Sequence, residues 1–309
     1  MLRLGRRVNK DSSIKVFAVA VFIFLILVGC VSRVVDMGKA KLKTIKVDDV
    51  TLGYKIIGKG DPLILIMGYS GTMDMWDSRV LANLIRHYRV IIFDNRGMGS
   101  STATEKEFNI GLFAEDTAGL LKALKIKKAN VLGFSMGTNI ALEFTLRYPE
   151  MVDKLILYAG DCGGKESVQP DEEAMKQLID TSGTPEERDK RMIKLIFPGE
   201  WLKDNSGSLK DLPKVTERSR PEIINRQTKA MTTWRGCYSL LNKLTLPVLL
   251  ITGTEDVLTP PKNSLILANF IPLAWLVQIK GAGHGLMYQY PTEFVKTVLL
   301  FLQSSVETP

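Results

Sequence analysis

Gly133-Phe134-Ser135-Met136-Gly137 places a serine between two glycines, where an apolar run gives way to a helical pattern. A nucleophile on so abrupt a strand-to-helix turn needs small neighbours, because the backbone must fold past itself to lift the hydroxyl clear of the sheet. A serine hydroxyl is a weak nucleophile near neutral pH and needs a base within hydrogen-bond reach, usually histidine. The chain holds two histidines. His87, in Leu84-Ile85-Arg86-His87-Tyr88, falls at the end of a helical pattern, and a structural role at a helix C-terminus accounts for it. His284, in Gly281-Ala282-Gly283-His284-Gly285, follows the last apolar run among small residues that keep a loop open, and is the candidate base.

A histidine base needs a carboxylate to orient it, on a loop at the same sheet edge and between serine and histidine in chain order. Asp256, in Gly253-Thr254-Glu255-Asp256 after the apolar run Val248 to Thr252, meets both conditions. Asp161, after the preceding apolar run, is the rival, and Glu255 reads as a solvated loop carboxylate. Charge developing on an attacked carbonyl oxygen requires preorganised donors. The backbone N–H of Met136, at the start of the helix after the serine, is one candidate. The N–H of Tyr69, in the open loop Gly68-Tyr69-Ser70-Gly71, is the other, with a purely structural turn as the alternative reading. Together these groups would perform acyl transfer.

The elements that must position them follow from hydrophobic periodicity. Short runs apolar at nearly every position (Pro62 to Met67, Val90 to Phe93, Asn130 to Phe134, Leu155 to Tyr158, Val248 to Thr252, Trp275 to Ile279) suit strands buried on both faces of a parallel sheet. Thr44 to Val47 and Thr51 to Ile57, around Asp48-Asp49, read as an antiparallel hairpin before them. Phe113, Thr117, Leu120, Leu121 and Leu124 recur at helical spacing, and Met136 to Arg147 carries Ile140, Ala141 and Phe144 on one face. This alternation predicts an α/β fold with a mostly parallel sheet of about eight strands covered by helices. It breaks between Asp161 and Lys243, where polar helical stretches (Asp171 to Asp180, Pro185 to Ile196, Pro221 to Trp234) replace strands. The expected organisation is a core at 44–160 and 244–305 with an inserted helical cap at 161–243.

The order of these motifs resembles the α/β-hydrolase superfamily, in its group of cap-bearing single-domain hydrolases. The resemblance covers about Thr44 to Gln303. It rests on Met67-Gly68-Tyr69-Ser70-Gly71 with Trp76, Asp94-Asn95-Arg96-Gly97-Met98-Gly99-Ser100, the serine elbow, Gly253-Thr254-Glu255-Asp256 with Pro260, and Gly283-His284. It implies a Ser135–His284–Asp256 triad, a small-molecule or lipid ester substrate, no metal and no organic cofactor. Asp94 to Ser100 is similar to a family turn that braces the site without a catalytic role. Many relatives carry His-Gly where this chain has Met67-Gly68, so an imidazole that often braces the oxyanion loop is missing. The same triad on this fold also serves acyltransferases, perhydrolases and carbon–carbon hydrolases, and a non-catalytic binding protein is the reading from another class.

Charge and length limit the partners. The 309 residues carry a formal charge of +8, but residues 1–43 hold nine Lys/Arg against two Asp, a net of +7, leaving +1 for the rest. A nearly neutral domain excludes nucleic acid as a natural partner, and a monomer is expected. The basic flank (Arg3, Arg6, Arg7, Lys10, Lys15) precedes an apolar run from Val16 to Val28, short of the roughly 20 residues that span a bilayer. Leu27-Val28-Gly29-Cys30 resembles a bacterial lipobox, which implies lipid on Cys30 and a tether on the extracytoplasmic face of a membrane. An uncleaved anchor and a plain signal peptide are the alternatives. Residues 1–30 are thus a signal or anchor segment and 31–43 a polar linker. Cys162 and Cys237 flank the cap, either as two unpaired thiols or as a disulfide across its base.

Overall fold

The computed structural model describes residues 40–213 and 220–305. The apolar N-terminal run and Cys30 lie outside them. No helix among the described residues is long and apolar enough to cross a membrane.

Eight strands form one sheet: β1 (Lys43–Val47), β2 (Val50–Ile57), β3 (Asp61–Ile66), β4 (Tyr88–Phe93), β5 (Ala129–Phe134), β6 (Val152–Tyr158), β7 (Val248–Gly253) and β8 (Ala274–Ile279). Their spatial order is β1-β2-β4-β3-β5-β6-β7-β8. The pairs β1–β2 and β2–β4 are antiparallel and the others parallel. Ten α-helices connect or flank them among the described residues: α1 (Ser78–Leu84), α2 (Ile110–Ala123), α3 (Met136–Arg147), α4 (Glu172–Ile179), α5 (Pro185–Ile196), α6 (Gly199–Asn205), α7 (Pro221–Thr232), α8 (Lys262–Phe270), α9 (Leu286–Gln289) and α10 (Pro291–Gln303). This is the mostly parallel, helix-covered sheet that the apolar runs predict.

Those runs are apolar throughout because successive side chains serve two different cores. On β3, Ile64 and Ile66 pack with Phe113 and Leu121 of α2 and Phe144 of α3. Leu63 and Leu65 point the other way and join Val80 and Leu84 of α1 and Phe294 and Val298 of α10. Leu155 and Leu157 against Ile156 and Tyr158 repeat the division on β6. Lys154 reaches from β6 to the end of α10, where its Nζ donates to the carbonyls of Phe301 (3.1 Å), Leu302 (2.9 Å) and Ser304 (2.5 Å). A cation at a helix C-terminus both satisfies orphan carbonyls and favours the dipole.

Between β6 and β7 the described residues contain no strand; α4 to α7 and short 3-10 turns fill the interval. The Thr184 and Glu187 capping box starts α5, and Asp171 caps α4 through the Ala174 amide at 2.7 Å. Sequence periodicity predicts no helix at Gly199–Asn205: α6 spans only seven residues, none of them fully buried, so no apolar stripe marks it. It is fixed by Trp201, whose ring stacks on Phe197 at 4.9 Å. The interval leaves and re-enters the core at one place, where the Cys237 amide donates to the Cys162 carbonyl at 2.8 Å.

Candidate active site

Ser135 sits between β5 and α3 at φ 55°, ψ −125°, a conformation that costs a non-glycine residue about 1–3 kcal/mol. Three bonds over-determine it. Its amide donates to the Tyr158 carbonyl at 3.0 Å, and its carbonyl accepts from the Thr138 amide and hydroxyl, each at 2.7 Å. The flanking glycines are there for clearance: a Cβ on Gly133 would lie 2.3 Å from the Gly137 carbonyl oxygen, and one on Gly137 would lie 2.1 Å from that of Ile66. The serine side chain does not cap α3 and makes no hydrogen bond to protein among the described residues, so no structural partner holds it. No hydrogen bond joins its hydroxyl to the His284 imidazole, whose ring partners among the described residues are Asp256 and Thr259.

His284 and Ser135 border the same cavity, of about 360 Å³. His284 is buried, and its Nδ1 lies 2.8 Å from Asp256 Oδ2. Asp256 has no freedom to turn away: Oδ1 accepts from the amides of Leu258 (2.9 Å) and Thr259 (2.8 Å), and Oδ2 from the Thr259 hydroxyl (2.8 Å). The histidine backbone is held as firmly. Tyr158 donates its hydroxyl to the His284 carbonyl at 2.6 Å and accepts from the Met287 amide at 3.1 Å. The Phe134 ring lies 5.0 Å from the imidazole. Glycines flank His284 to admit a neighbour rather than to keep the loop open. The Ile196 carbonyl at the end of α5 accepts from the Gly285 amide at 2.7 Å, and a Cβ on Gly283 would come within 2.8 Å of it.

The loop after β3 brings Gly68 against the serine, so that a Cβ there would sit 2.9 Å from Ser135 Cβ and 3.5 Å from its Oγ. Tyr69 and Met136 line the cavity, and neither backbone amide donates to protein among the described residues. Asn95 braces this loop, its Nδ2 donating to the Met67 carbonyl at 3.0 Å. The neighbouring Asp94 ties the Met73 amide (2.7 Å) and the Ser100 amide (2.9 Å) into the same turn. From α7, Gln227 Oε1 accepts the Ser70 amide at 2.9 Å, and Thr228 Oγ1 shares a 2.8 Å bond with the Tyr69 hydroxyl.

The other sequence candidates fall elsewhere. His87 is exposed, its amide bonded to Leu84 just beyond α1, and does not border the cavity. Asp161 lines the cavity but binds the Gly163 amide (2.7 Å) and Asn139 Nδ2 (3.3 Å) rather than the imidazole. Cys162 and Cys237 are buried free thiols. Burial pushes the Cys162 thiol up to about 11 and Cys237 higher still. Sequence reasoning missed Thr259, Tyr158 and Gln227. Thr259 alone had a local signal, a hydroxyl three residues after a loop aspartate, as in side-chain-stabilised turns.

Comparison with known proteins agrees with this fold. A family model described as alpha/beta hydrolase fold matches residues 61–202. The chain is 31% identical over 272 residues to a Mycobacterium tuberculosis protein provisionally named non-heme bromoperoxidase BpoC, covering 84% of this chain and 99% of the relative. It superposes on an alpha/beta hydrolase fold protein from Chitinophaga pinensis with a TM-score of 0.74 at 26% identity, covering 86% of this chain and 98% of the other. The esterase RhEst1 from Rhodococcus sp. ECU1013 shares the fold at a TM-score of 0.74 and 24% identity, over 85% and 98% of the two chains. With its sheet order, its serine elbow and a relative matched over nearly its whole length, the chain belongs to the α/β-hydrolase superfamily.

Proposed function

We propose that this hydrolase cleaves carboxylic esters through an acyl-enzyme formed on Ser135, with residues 161–243 acting as a cap over the site. The observation that carries the reading is the 2.8 Å contact between Asp256 and His284, on the wall of the cavity that also holds the strained serine turn. An Nδ1–H donated to Asp256 leaves the lone pair on Nε2 for the serine proton.

Ser135 Oγ attacks the carbonyl carbon as His284 takes its proton. The resulting oxyanion meets the N–H groups of Tyr69 and Met136. The imidazolium returns its proton to the departing alkoxide, leaving the acyl-enzyme. Water then attacks, giving a proton to His284, and the tetrahedral intermediate collapses to the carboxylic acid with Ser135 reprotonated. Asp256 orients the imidazole and stabilises its charge without taking the proton.

The cavity lining supports an apolar substrate body. Six methionines of the described residues border it: Met67, Met75, Met136, Met175, Met192 and Met231. Unbranched thioether side chains adapt to flexible aliphatic groups. Three of the six come from α4, α5 and α7, which gives the proposed cap a direct part in selectivity.

A fluorophosphonate probe tests the mechanism: labelling of Ser135 in folded protein, lost on heat unfolding, is the expected result, and an unlabelled serine refutes it. A panel of esters from acetyl to palmitoyl then locates the acyl preference. The provisional name of the 31% relative justifies a second arm with hydrogen peroxide present, where formation of peracid would place this chain among the acyl-transferring variants of the same chemistry. Membrane attachment through Cys30 or an uncleaved N-terminal anchor completes the proposal; mass spectrometry of the N-terminal peptide from membranes distinguishes the two.

A further inference from the structure

The ester-hydrolase mechanism leaves one carboxylate in the cavity unused. Asp161 follows β6 on a turn whose backbone is itself unusual: Ala159 has φ 52°, and a Cβ on Gly160 would lie 1.9 Å from Thr138 Oγ1. The side chain is held by one oxygen. Oδ1 accepts from the Gly163 amide at 2.7 Å and from Asn139 Nδ2 at 3.3 Å, while Asn139 Nδ2 also reaches the Asp161 carbonyl at 3.0 Å. Oδ2 accepts nothing from the protein among the described residues. The side chain is partly accessible on the cavity wall, and burial raises its pKa.

The setting is one-sided. Among the described residues no lysine or arginine lines the cavity, and Asp161 is its one carboxylate. Trp234 borders the same cavity and packs against Gly163, whose amide holds Asp161; a Cβ on Gly163 would come within 2.4 Å of the indole. A desolvated carboxylate is retained at a cost unless something compensates it. The Gly163 and Asn139 bonds and the charge of His284 favour the carboxylate, but burial outweighs them, so a donor on the ligand would add what they leave unmet; an indole near a carboxylate suits a cation as well as a hydroxyl.

We propose that Asp161 is a specificity residue whose Oδ2 binds a hydrogen-bond donor on the substrate, so that the natural ligand is an apolar ester carrying a hydroxyl or ammonium group. This rests on the ester-hydrolase reading for its catalytic consequence, but the binding claim stands apart from it. The site favours such a substrate over its alkyl analogue because a bound analogue covers the carboxylate oxygen without pairing it.

Two chain-matched series test the proposal on the full chain. One compares the butyrates of hexanol, 1,5-pentanediol (monoester) and 5-aminopentanol; the other compares methyl heptanoate, 6-hydroxyhexanoate and 6-aminohexanoate. In at least one series a donor-bearing ester is expected to exceed the alkyl ester in kcat/KM by tenfold or more, with ammonium first if charge dominates and hydroxyl first if a neutral donor fits. Asp161→Leu is expected to reduce that ratio at least tenfold, whereas a purely structural role would lower all rates alike and leave it unchanged. Asp161→Asn, nearly isosteric, guards against misfolding and is expected to lose the ammonium preference while keeping the hydroxyl one. Dissociation constants of the same esters for Ser135→Ala, read by tryptophan fluorescence, separate binding from chemistry. Absent turnover with the donor preference intact in binding overturns the hydrolase reading alone. Alkyl esters equal to or better than both donors in both series, or a ratio untouched by Asp161→Leu, overturns the proposal.

Discussion

Gln227 Oε1 accepts the backbone hydrogen of Ser70 at 2.9 Å, so α7 holds the very loop whose Tyr69 amide is assigned to the oxyanion. Ser70 has φ 55°, a left-handed conformation that a serine adopts only where something fixes it, and the fully buried glutamine is that partner. The proposed cap therefore touches the chemistry through this carboxamide, as well as through Thr228 at the Tyr69 hydroxyl and the Ile196 carbonyl beside His284, besides enclosing it.

Replacing Gln227 by leucine releases Ser70 and lets the Tyr69 amide drift from its aim. Loss of one oxyanion donor typically costs 10²–10³-fold in kcat, so a fall of roughly 10²-fold is expected, with KM moving much less. Steady-state kinetics on one ester decides it; a rise in KM alone would assign Gln227 to substrate contact instead.

Asp256→Asn keeps the loop shape but presents an amide to Nδ1 and favours the wrong tautomer. A drop of about 10⁴-fold in kcat is expected, against roughly 10⁶-fold for Ser135→Ala. Asp161→Asn should fall far short of either on an alkyl ester, because it does not contact the imidazole. Equal losses at the two aspartates would mean that Asp161 shares the orienting role.

Gly137→Ala forces a Cβ to within 2.1 Å of the Ile66 carbonyl oxygen, a backbone atom that cannot swing aside. Overpacking of this kind destabilises by about 1–3 kcal/mol or more. Gly199, which a Cβ would leave with nothing within 4 Å, provides the control: Gly199→Ala should stabilise by roughly 0.4–1 kcal/mol. Denaturant midpoints read both.

Arg96 is buried and joins Asp116 through two 2.6 Å bonds and Asp49 at 3.2 Å, tying the turn after β4 to α2 and to the β1–β2 hairpin. Arg96→Met abandons Asp116 in the interior, and a loss of about 3–5 kcal/mol is expected from breaking a buried pair on one side. Asp49 adds a pH signature. Burial works against its charge, but bonds from Thr104 and Arg96 outweigh it and hold the carboxyl well below the usual range. A depressed folded pKa contributes stability that is present above the unfolded value of about 3.9 and lost as pH falls through the folded one. Asp49→Asn should therefore flatten the acid limb of the stability profile below pH 4 and leave its shape near neutrality unchanged.

Burial holds both Cys162 and Cys237 as neutral thiols, the former up to about 11. The thiolate is the reactive form. At pH 8 iodoacetamide should leave both peptides unmodified in folded protein and alkylate both in denaturant, as peptide mapping would show. Rapid labelling of either in the folded state would contradict their enclosure.

The sheet was legible from sequence because two-sided burial imposes unbroken apolar runs, as in Leu63 to Ile66 with alternate residues committed to opposite cores. The residues brought together around the cavity were legible because a tight turn after a buried strand admits few residue types. What escaped were groups whose work depends on distant chain segments. Tyr158 reads as one more apolar strand residue until its hydroxyl meets His284, 126 positions away. Gln227 reads as a polar position on an amphipathic helix, since nothing local marks a bond 157 residues back to Ser70. The glycines beside His284 read from sequence as loop-openers, and the clearance they give the Ile196 carbonyl leaves no trace in composition.

The single hydrogen bond between the Cys237 amide and the Cys162 carbonyl closes the neck of the interval from β6 to β7. A chain excursion whose entry and exit already touch imposes little demand on the scaffold about its length, so long as partners for the Ser70 and Gly285 amides are kept. Lengthening such a loop costs only fractions of a kcal/mol per doubling. The neck is thus a grafting point: segments of different length and lining can be exchanged there around the strained serine turn and the Asp256–His284 pair, provided that they present a carboxamide to Ser70 and a carbonyl to Gly285 again, making selectivity a transplantable property of the molecule.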